Sequence, residues 1–146
     1  LTYTSEVLAE DLEVTGMVTV TLFAASSAPD TDFVARLCDV YPDDRSINIT
    51  EGITRARFRD DLWGAPRLMA PGTIYAFTID LDATSNVFLA GHRLRLDVTS
   101  SSFPLWDRNL NTGGEFGQDA EMRPAVQTIF HDTEHPSRVT LPIVPR

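Results

Sequence analysis

The stretch that decides the fold runs from Thr73 to Gly114 and reads TIYAFTIDLDATSNVFLAGHRLRLDVTSSSFPLWDRNLNTGG. It contains two runs in which apolar and polar residues strictly alternate. The apolar positions are Tyr75, Phe77, Ile79 and Leu81 in the first run and Leu94, Leu96 and Val98 in the second, where Arg93, Arg95 and Asp97 take the opposite face. A side-chain period of two puts one face against a core and the other in water, which predicts two strands of an antiparallel sheet.

The segment after Thr99 is longer and more polar than a tight connection between strands requires. Long loops of this kind commonly carry binding or docking surfaces. The mixture of an apolar trio with groups that form directed hydrogen bonds is typical of a protein interface. An aromatic plug folded back into the loop, or sugar stacking on the tryptophan, remain alternatives. The candidate docking residues are Phe103, Leu105, Trp106, Asp107, Arg108, Asn109 and Asn111.

The remainder of the chain indicates further strands and no helix, since no segment has a convincing 3.6-residue period. The run Phe33–Tyr41 is more continuously apolar than the others and predicts a central strand covered on both faces. Segment 60–72 reads as a loop plugged by Trp63 and Met69. With turn signals at about every 8–12 residues, some nine strands predict a β-sandwich with Greek-key connections. The other predicted strands are Met17–Ala25, Ser46–Glu51, Ile53–Arg59, Val126–His131 and Arg138–Val144.

Composition limits the range of functions. The 146 residues suit one domain spanning 1–146, and the net charge of −9 argues against a nucleic-acid partner. No apolar run approaches the length of about 20 residues that a membrane span needs, so no membrane partner is expected. The single cysteine, Cys38, excludes an internal disulfide, reads as a buried small hydrophobe and fits a reducing, cytoplasmic compartment.

The chain lacks the chemistry of a hydrolase. It contains no Gly-x-Ser-x-Gly nucleophile elbow and no alternating βα pattern to hold one, so no catalytic residue is predicted. His92 has the inward parity of its strand and predicts a structural hydrogen bond, and the spacing of His131 and His135 reads as a turn rather than a metal site. No cofactor and no metal ligand are predicted. A structural calcium ion remains open on the acidic group Asp30, Asp32, Asp39, Asp43 and Asp44.

Several longer motifs resemble one family. Those between the central strands and the loop are ATSNVFLAGHR (83–93), SSSFP (100–104), DRN (107–109) and NTGG (111–114). Those elsewhere are YTSEVL (3–8), EVTG (13–16), DTDF (30–33), DV (39–40), EHPS (134–137) and LPI (141–143). In this order they resemble the C-terminal domain of bacterial serine hydrolases of the cocaine esterase and X-prolyl dipeptidyl-peptidase group.

The resemblance implies a jelly roll similar to galactose-binding-like domains. It also implies a non-catalytic domain of a larger serine esterase or peptidase, whose partner is the catalytic α/β-hydrolase domain of the same protein. In the family this domain packs on the catalytic domain and helps to frame the substrate cleft, and the loop after Thr99 is the candidate contact. Family members include sequence before the position of Leu1, so an edge strand is expected to be missing, and an open sheet edge could pair with a second copy as a homodimer.

A second reading belongs to another class, a free-standing carbohydrate-binding module. It needs exposed aromatic platforms on a sheet face, and the chain has only two tryptophans, Trp63 and Trp106. The substrate of the parent enzyme is open, because esterases and peptidases of the family share this C-terminal pattern.

Overall fold

A computed structural model describes residues 1–115 and 117–145. In these ranges the chain forms eight strands and one short 3₁₀ turn, Ala56–Phe58. No helix within them has the length and apolarity that a membrane crossing needs. The strands are β1 (Thr2–Thr4), β2 (Leu12–Ser26), β3 (Asp32–Val40), β4 (Ser46–Arg55), β5 (Tyr75–Phe88), β6 (Arg93–Thr99), β7 (Gln127–Phe130) and β8 (Arg138–Thr140).

The strands form two antiparallel sheets. The first has the order β1-β6-β3-β4, and the second has β5-β2-β7, with β8 also paired to β2. β7 and β8 share the edge of β2 that lies away from β5, because β7 pairs with Phe23–Ser26 and β8 with Thr19–Thr21. The predicted all-β fold with antiparallel sheets is therefore confirmed.

The core lies between the two sheets. It is built from alternate residues of facing strands, as a period of two requires, and the rings of Phe33 and Phe77 meet with their centroids 4.7 Å apart. The largest fully buried side chains are Phe33, Phe77, Phe88, Leu22, Leu37, Ile79, Leu81, Val14, Val18, Val20, Val34 and Val40. The alternation predicted for β5 is confirmed, but in β6 only Val98 is buried, while Leu94 and Leu96 are half-buried.

The central strand is as predicted. β3 lies between β6 and β4, and eight of its nine residues are buried. Two residues were candidates for plugging the loop 60–72. Met69 is 4% exposed, which confirms the prediction for it, but Trp63 is 92% exposed and the prediction that it plugs the loop is wrong.

The prediction of two separate strands, Ser46–Glu51 and Ile53–Arg59, on either side of Gly52 is wrong. Ser46–Arg55 is one continuous strand that pairs with β3 along its length, and the chain then enters the 3₁₀ turn at Ala56. Arg55, Arg57 and Arg59 consequently do not share one strand face. Pairing Ser46–Glu51 with Ile53–Arg59 would place a turn at Gly52, but this glycine meets a different need, the close approach of two strands.

At Gly52 the two sheets come within backbone contact. A Cβ atom at this position would lie 1.8 Å from the carbonyl oxygen of Asp80 in β5. The hydroxyl of Thr50 also donates a hydrogen bond to the carbonyl oxygen of Leu81. The strands β4 and β5 therefore close this side of the sandwich, and only glycine fits the contact.

Replacing Gly52 with alanine is expected to lower the free energy of unfolding by about 3 kcal/mol or more, because the backbone of β4 or β5 must move. Urea denaturation followed by circular dichroism measures the loss. Gly72→Ala is the matched control: its Cβ would meet nothing within 4 Å at φ +81°, so only backbone strain of about 1–2 kcal/mol is expected. A loss at Gly52 no larger than that of the control would contradict the close approach.

Candidate interdomain surface

The predicted docking loop is fixed at its start by Ser102. The Ser102 hydroxyl donates to Glu51 Oε2 at 3.2 Å and accepts from Arg36 Nη2 at 3.1 Å. Arg36 and Glu51 face each other across β3 and β4 and form an ion pair of 2.8 Å. The hydrogen bonds that Arg36 donates to Glu51 raise the pKa of Arg36. The first residues after β6 are thus attached to β3, which lies next to β6, and to β4 beyond it.

A second attachment is made by Asn109. Its side-chain amide donates to Asp30 Oδ2 at 2.9 Å and to Asp32 Oδ1 at 2.8 Å. Both carboxylates are buried, with 0% and 1% of their surface exposed. One amide nitrogen therefore bridges the two acids that precede and begin β3, and holds the middle of the loop against the end of the first sheet.

The two carboxylates are neutralised by arginines from the end of β4. Arg55 makes two hydrogen bonds of 2.8 Å to Asp32, and Arg57 bonds to Asp30 through Nε at 2.7 Å and through its backbone amide at 3.0 Å. The hydrogen bond to Asp32 raises the pKa of Arg55. Buried charges are tolerated when they are paired and hydrogen-bonded in this way. The cluster of Asp30, Asp32, Arg55, Arg57 and Asn109 is called the acid–arginine cluster below.

The end of the loop is fixed by hydrogen bonds to backbone carbonyls and to one carboxylate. Arg57 Nη1 donates to the carbonyl oxygen of Gly114 at 3.0 Å. Asn111 Nδ2 donates to the carbonyl oxygen of Arg123 at 2.9 Å. The hydroxyl of Thr112 donates to Asp119, and this hydrogen bond lowers the pKa of that carboxyl group.

Between the first two attachments the loop exposes apolar side chains. Phe103 is 58% exposed and Leu105 is 60% exposed, while Trp106 is half-buried. The guanidinium of Arg108 lies over the Phe103 ring, 4.6 Å from its centroid. A cis peptide bond joins Phe103 to Pro104, and the amide of Leu105 closes a turn on the Ser102 carbonyl at 2.9 Å.

The predicted site residues divide into two groups. The first group faces solvent: it contains Phe103 and Leu105, the partly exposed Trp106, and the exposed Asp107 and Arg108. Asn109 and Asn111 instead bond within the domain. Sequence reasoning missed the strand residues that fix the loop: Arg36, Glu51, Asp30, Asp32, Arg55 and Arg57. The sequence does show the two acids in the DTDF motif (30–33) and the arginines at alternate positions 55 and 57. Nothing in it indicates that these acids and these arginines form ion pairs.

The remaining reactive groups have structural partners. His92 Nδ1 lies 2.8 Å from Asp39 Oδ1 and both residues are buried, which confirms the predicted hydrogen bond. Cys38 is buried, and desolvation raises its pKa. Of the acids considered for calcium, Asp30, Asp32 and Asp43 form ion pairs with arginines. Residues 1–115 and 117–145 contain no group of three or more His, Cys, Asp or Glu placed to hold a metal ion.

Fold and surface together define an all-β domain of two antiparallel sheets whose most elaborate loop is fixed in place with apolar residues outward. Comparison with known proteins agrees. The chain belongs to the family of X-Pro dipeptidyl-peptidase C-terminal non-catalytic domains, whose model matches residues 1–140.

Individual relatives contain this domain as part of a longer polypeptide. The chain is 51% identical to cocaine esterase from Rhodococcus sp. (strain MB1 Bresler) over 148 residues, which are all of this chain and 26% of that protein. Its fold matches an α-amino acid ester hydrolase with a TM-score of 0.92 at 31% identity, covering 99% of this chain and 25% of that one. An aminopeptidase from a marine sediment Thaumarchaeota archaeon matches with a TM-score of 0.93 at 31% identity, covering 99% and 26%. The chain thus spans about a quarter of the length of these relatives.

Asn109→Ala is expected to release the middle of the loop and to lower the free energy of unfolding by about 1–3 kcal/mol. Two buried carboxylates each lose a donor, and a hydrogen bond to a charged group contributes about 1.5–3 kcal/mol net of the exchange with water. Urea denaturation gives the loss, and hydrogen exchange should become faster at the Asn111 amide, which bonds to Asn109 Oδ1.

Asn48→Ala is the control, because Asn48 is exposed and bonds only to the nearby Glu51 at 3.2 Å through its side chain. A change within about 0.5 kcal/mol is expected there. Equal effects at Asn48 and Asn109 would show that the bridge between the two aspartates does not hold the loop.

Proposed function

We propose that the loop from Phe103 to Gly114 is the surface by which this domain packs on the catalytic α/β-hydrolase domain of its parent protein. The observation that carries the proposal is an exposed apolar pair, Phe103 and Leu105, on a loop fixed from behind by buried ion pairs. Apolar side chains normally face solvent singly, and adjacent ones on a well-held surface are typical of a docking site. The exposed Asp107 and Arg108 would form the polar rim of such a contact.

The parent protein is proposed to be a serine hydrolase that cleaves an ester or an amide through an acyl-enzyme. Support comes from the names of the relatives, which are esterases, an ester hydrolase and an aminopeptidase. In such a reaction a serine attacks the acyl group and a histidine transfers the proton. This domain would contribute a rigid wall beside the substrate cleft and no reacting group.

The sheets are proposed to form a jelly roll of the galactose-binding-like type. Eight strands in two sheets suit that class, and the chain crosses between the sheets after β1, β2, β4, β5 and β6.

The carbohydrate-binding alternative gains no support from the tryptophans. Trp63 lies in the loop between β4 and β5, and Trp106 lies in the loop after β6, so neither ring belongs to a strand. A flat platform on a sheet face would need aromatic residues within strands.

The 146-residue chain alone is expected to hydrolyse neither a chromogenic ester nor an X-Pro amide, since it has no nucleophile elbow. The assay uses purified chain with and without a fluorophosphonate. Turnover that the fluorophosphonate blocks would overturn the non-catalytic role.

Replacing Phe103 and Leu105 together by alanine is expected to change the unfolding free energy of the 146-residue chain by less than about 1 kcal/mol, because both side chains are largely exposed. In the parent hydrolase the same pair should lower the melting temperature by several degrees or reduce kcat/KM, because the domain contact loses its apolar centre. Thermal unfolding and steady-state kinetics provide the two measurements.

Leu89→Ala is the control. Leu89 is 48% exposed and lies in the β5–β6 connection, at the opposite end of β6 from the loop. It should leave both proteins unchanged. The docking proposal fails if the parent tolerates the Phe103 and Leu105 changes as well as it tolerates Leu89→Ala.

A further inference from the structure

The connection between β4 and β5 carries an almost fully exposed tryptophan at the end of a tight turn. Trp63 is 92% exposed and its neighbour Leu62 is 68% exposed. The turn closes on Asp61, whose carbonyl oxygen accepts from the Gly64 amide at 3.2 Å and whose Oδ1 accepts from the Trp63 amide at 3.0 Å. A tryptophan ring carries a large apolar surface and is seldom left in water. We name residues 61–64 the Trp63 tip.

The base of this connection is held by Arg59, whose side chain is only 9% exposed. Its Nη1 donates to the carbonyl oxygen of Ala56 at 2.9 Å and to that of Arg67 at 2.6 Å, which joins the two arms of the connection. Its guanidinium lies 4.4 Å from the centroid of the Tyr75 ring, a cation–π contact. The Arg67 amide also donates to the Arg57 carbonyl oxygen at 2.7 Å. Because both arms are fastened, the tip stands away from the domain instead of folding back onto it.

The Trp63 tip lies at the same end of the sandwich as the loop from Phe103 to Gly114, which is called the docking loop below. β4 ends where Arg55 pairs with Asp32. β6 ends where Thr99 pairs with Val34. Both connections therefore leave their sheet beside the start of β3.

The two connections also pack on one another, through Leu68. A Cβ atom at Gly113 in the docking loop would lie 3.0 Å from Leu68 Cδ1 and 3.3 Å from Pro29 Cγ. The next residue, Met69, donates its amide to the Pro29 carbonyl oxygen at 2.8 Å. The tip and the exposed apolar pair of the docking loop are thus carried by segments that hold each other in position.

We infer that the Trp63 tip is a second anchor of this domain on the catalytic domain of the parent hydrolase, and that its indole ring enters an apolar pocket there. The inference deepens the proposed function and rests on it for the identity of the partner. The pocket would bury the ring together with Leu62 and offer an acceptor to the indole N–H. Asp60 and Arg67, an exposed ion pair of 3.6 Å beside the tip, would form the polar rim.

A protein pocket suits the tip better than other occupants do. Tryptophan is among the residues that dominate binding energy at protein interfaces, provided that a pocket excludes water from its ring. A sugar stacks on a flat face flanked by polar groups, whereas Trp63 stands at a tip beside the aliphatic Leu62. A second copy of the chain would bring its own net charge of −9 to the contact and be repelled. The catalytic domain is favoured because the docking loop, at the same end, is proposed to meet it.

Replacing Trp63 by alanine in the full parent hydrolase is the first test. The melting temperature should fall by several degrees, because the pocket loses its occupant. The 146-residue chain should keep its own melting temperature, since the ring touches little of that chain. Trp63→Phe should restore most of the loss, because a phenyl ring still fills an apolar pocket.

Ile47→Ala is the matched control. Ile47 is 45% exposed and lies on β4 opposite Asp39, at the other end of the sandwich. Its replacement should leave the melting temperatures of both proteins unchanged.

Fluorine NMR of protein labelled with 5-fluorotryptophan reports on the ring itself. The 146-residue chain gives two signals, from Trp63 and Trp106, and the signal lost in Trp63→Phe belongs to Trp63. A soluble nitroxide should broaden that signal strongly in the short chain and several-fold less in the parent.

Equal broadening in the two proteins, or a melting temperature of the parent that Trp63→Ala leaves unchanged, would overturn the inference. It would also be overturned if Trp63→Ala changed only KM, to an extent that depends on the substrate, since the ring would then contact substrate. Protection of the ring that grows with the concentration of the short chain would identify a second copy as the occupant.

The Phe103 and Leu105 double variant reports on the docking loop separately. An inert Trp63→Ala with a normal effect of that double variant leaves the proposed function standing and removes only the second anchor. The reverse result leaves the Trp63 contact in place and removes the docking role of the loop.

Discussion

The burial of two carboxylates beside each other is the constraint on which the functional surface depends. Asp30 and Asp32 are removed from water at the start of β3, where unpaired charges would be very costly. Six hydrogen bonds from Arg55, Arg57 and Asn109 compensate them. Because each donor comes from a different point of the chain, meeting this electrostatic requirement fixes the end of β4, the turn after it and the loop after β6 in one arrangement.

That arrangement explains how a long loop can expose aromatic and aliphatic side chains without collapsing onto the domain. Two polar residues of the loop bond inward: Ser102 to the Arg36–Glu51 pair, and Asn109 to the two aspartates. Phe103 and Leu105 are left between them, facing solvent. A surface ordered in advance loses less conformational entropy when a partner binds, which suits the proposed docking of a neighbouring catalytic domain.

The sandwich itself is asymmetric in both its sides and its ends. One side is sealed by the contact between β4 and β5 at Gly52, and the other is left with a groove bordered by the short strands β1, β7 and β8. The connections after β4 and β6 leave the first sheet together at one end, beside the start of β3. The proposed contacts with the rest of a larger protein would therefore lie in one region of the domain.

The sequence by itself determined the fold class, the central strand β3, the inward face of β5 and the loop that carries the exposed apolar pair. These follow from local periodicity and loop length, which are properties of neighbouring residues. Tertiary structure decided the rest. Gly52 indicated a turn because glycine permits one, but the carbonyl of Asp80 on another strand was its actual reason. The polar side chain of Asn109 in the loop predicted a contact with a partner protein, yet it bonds to buried aspartates more than seventy positions away in the same chain. Which acid pairs with which arginine, and which side of the sandwich stays open, depends on strand order and register, and these are set by contacts between segments that no local pattern encodes.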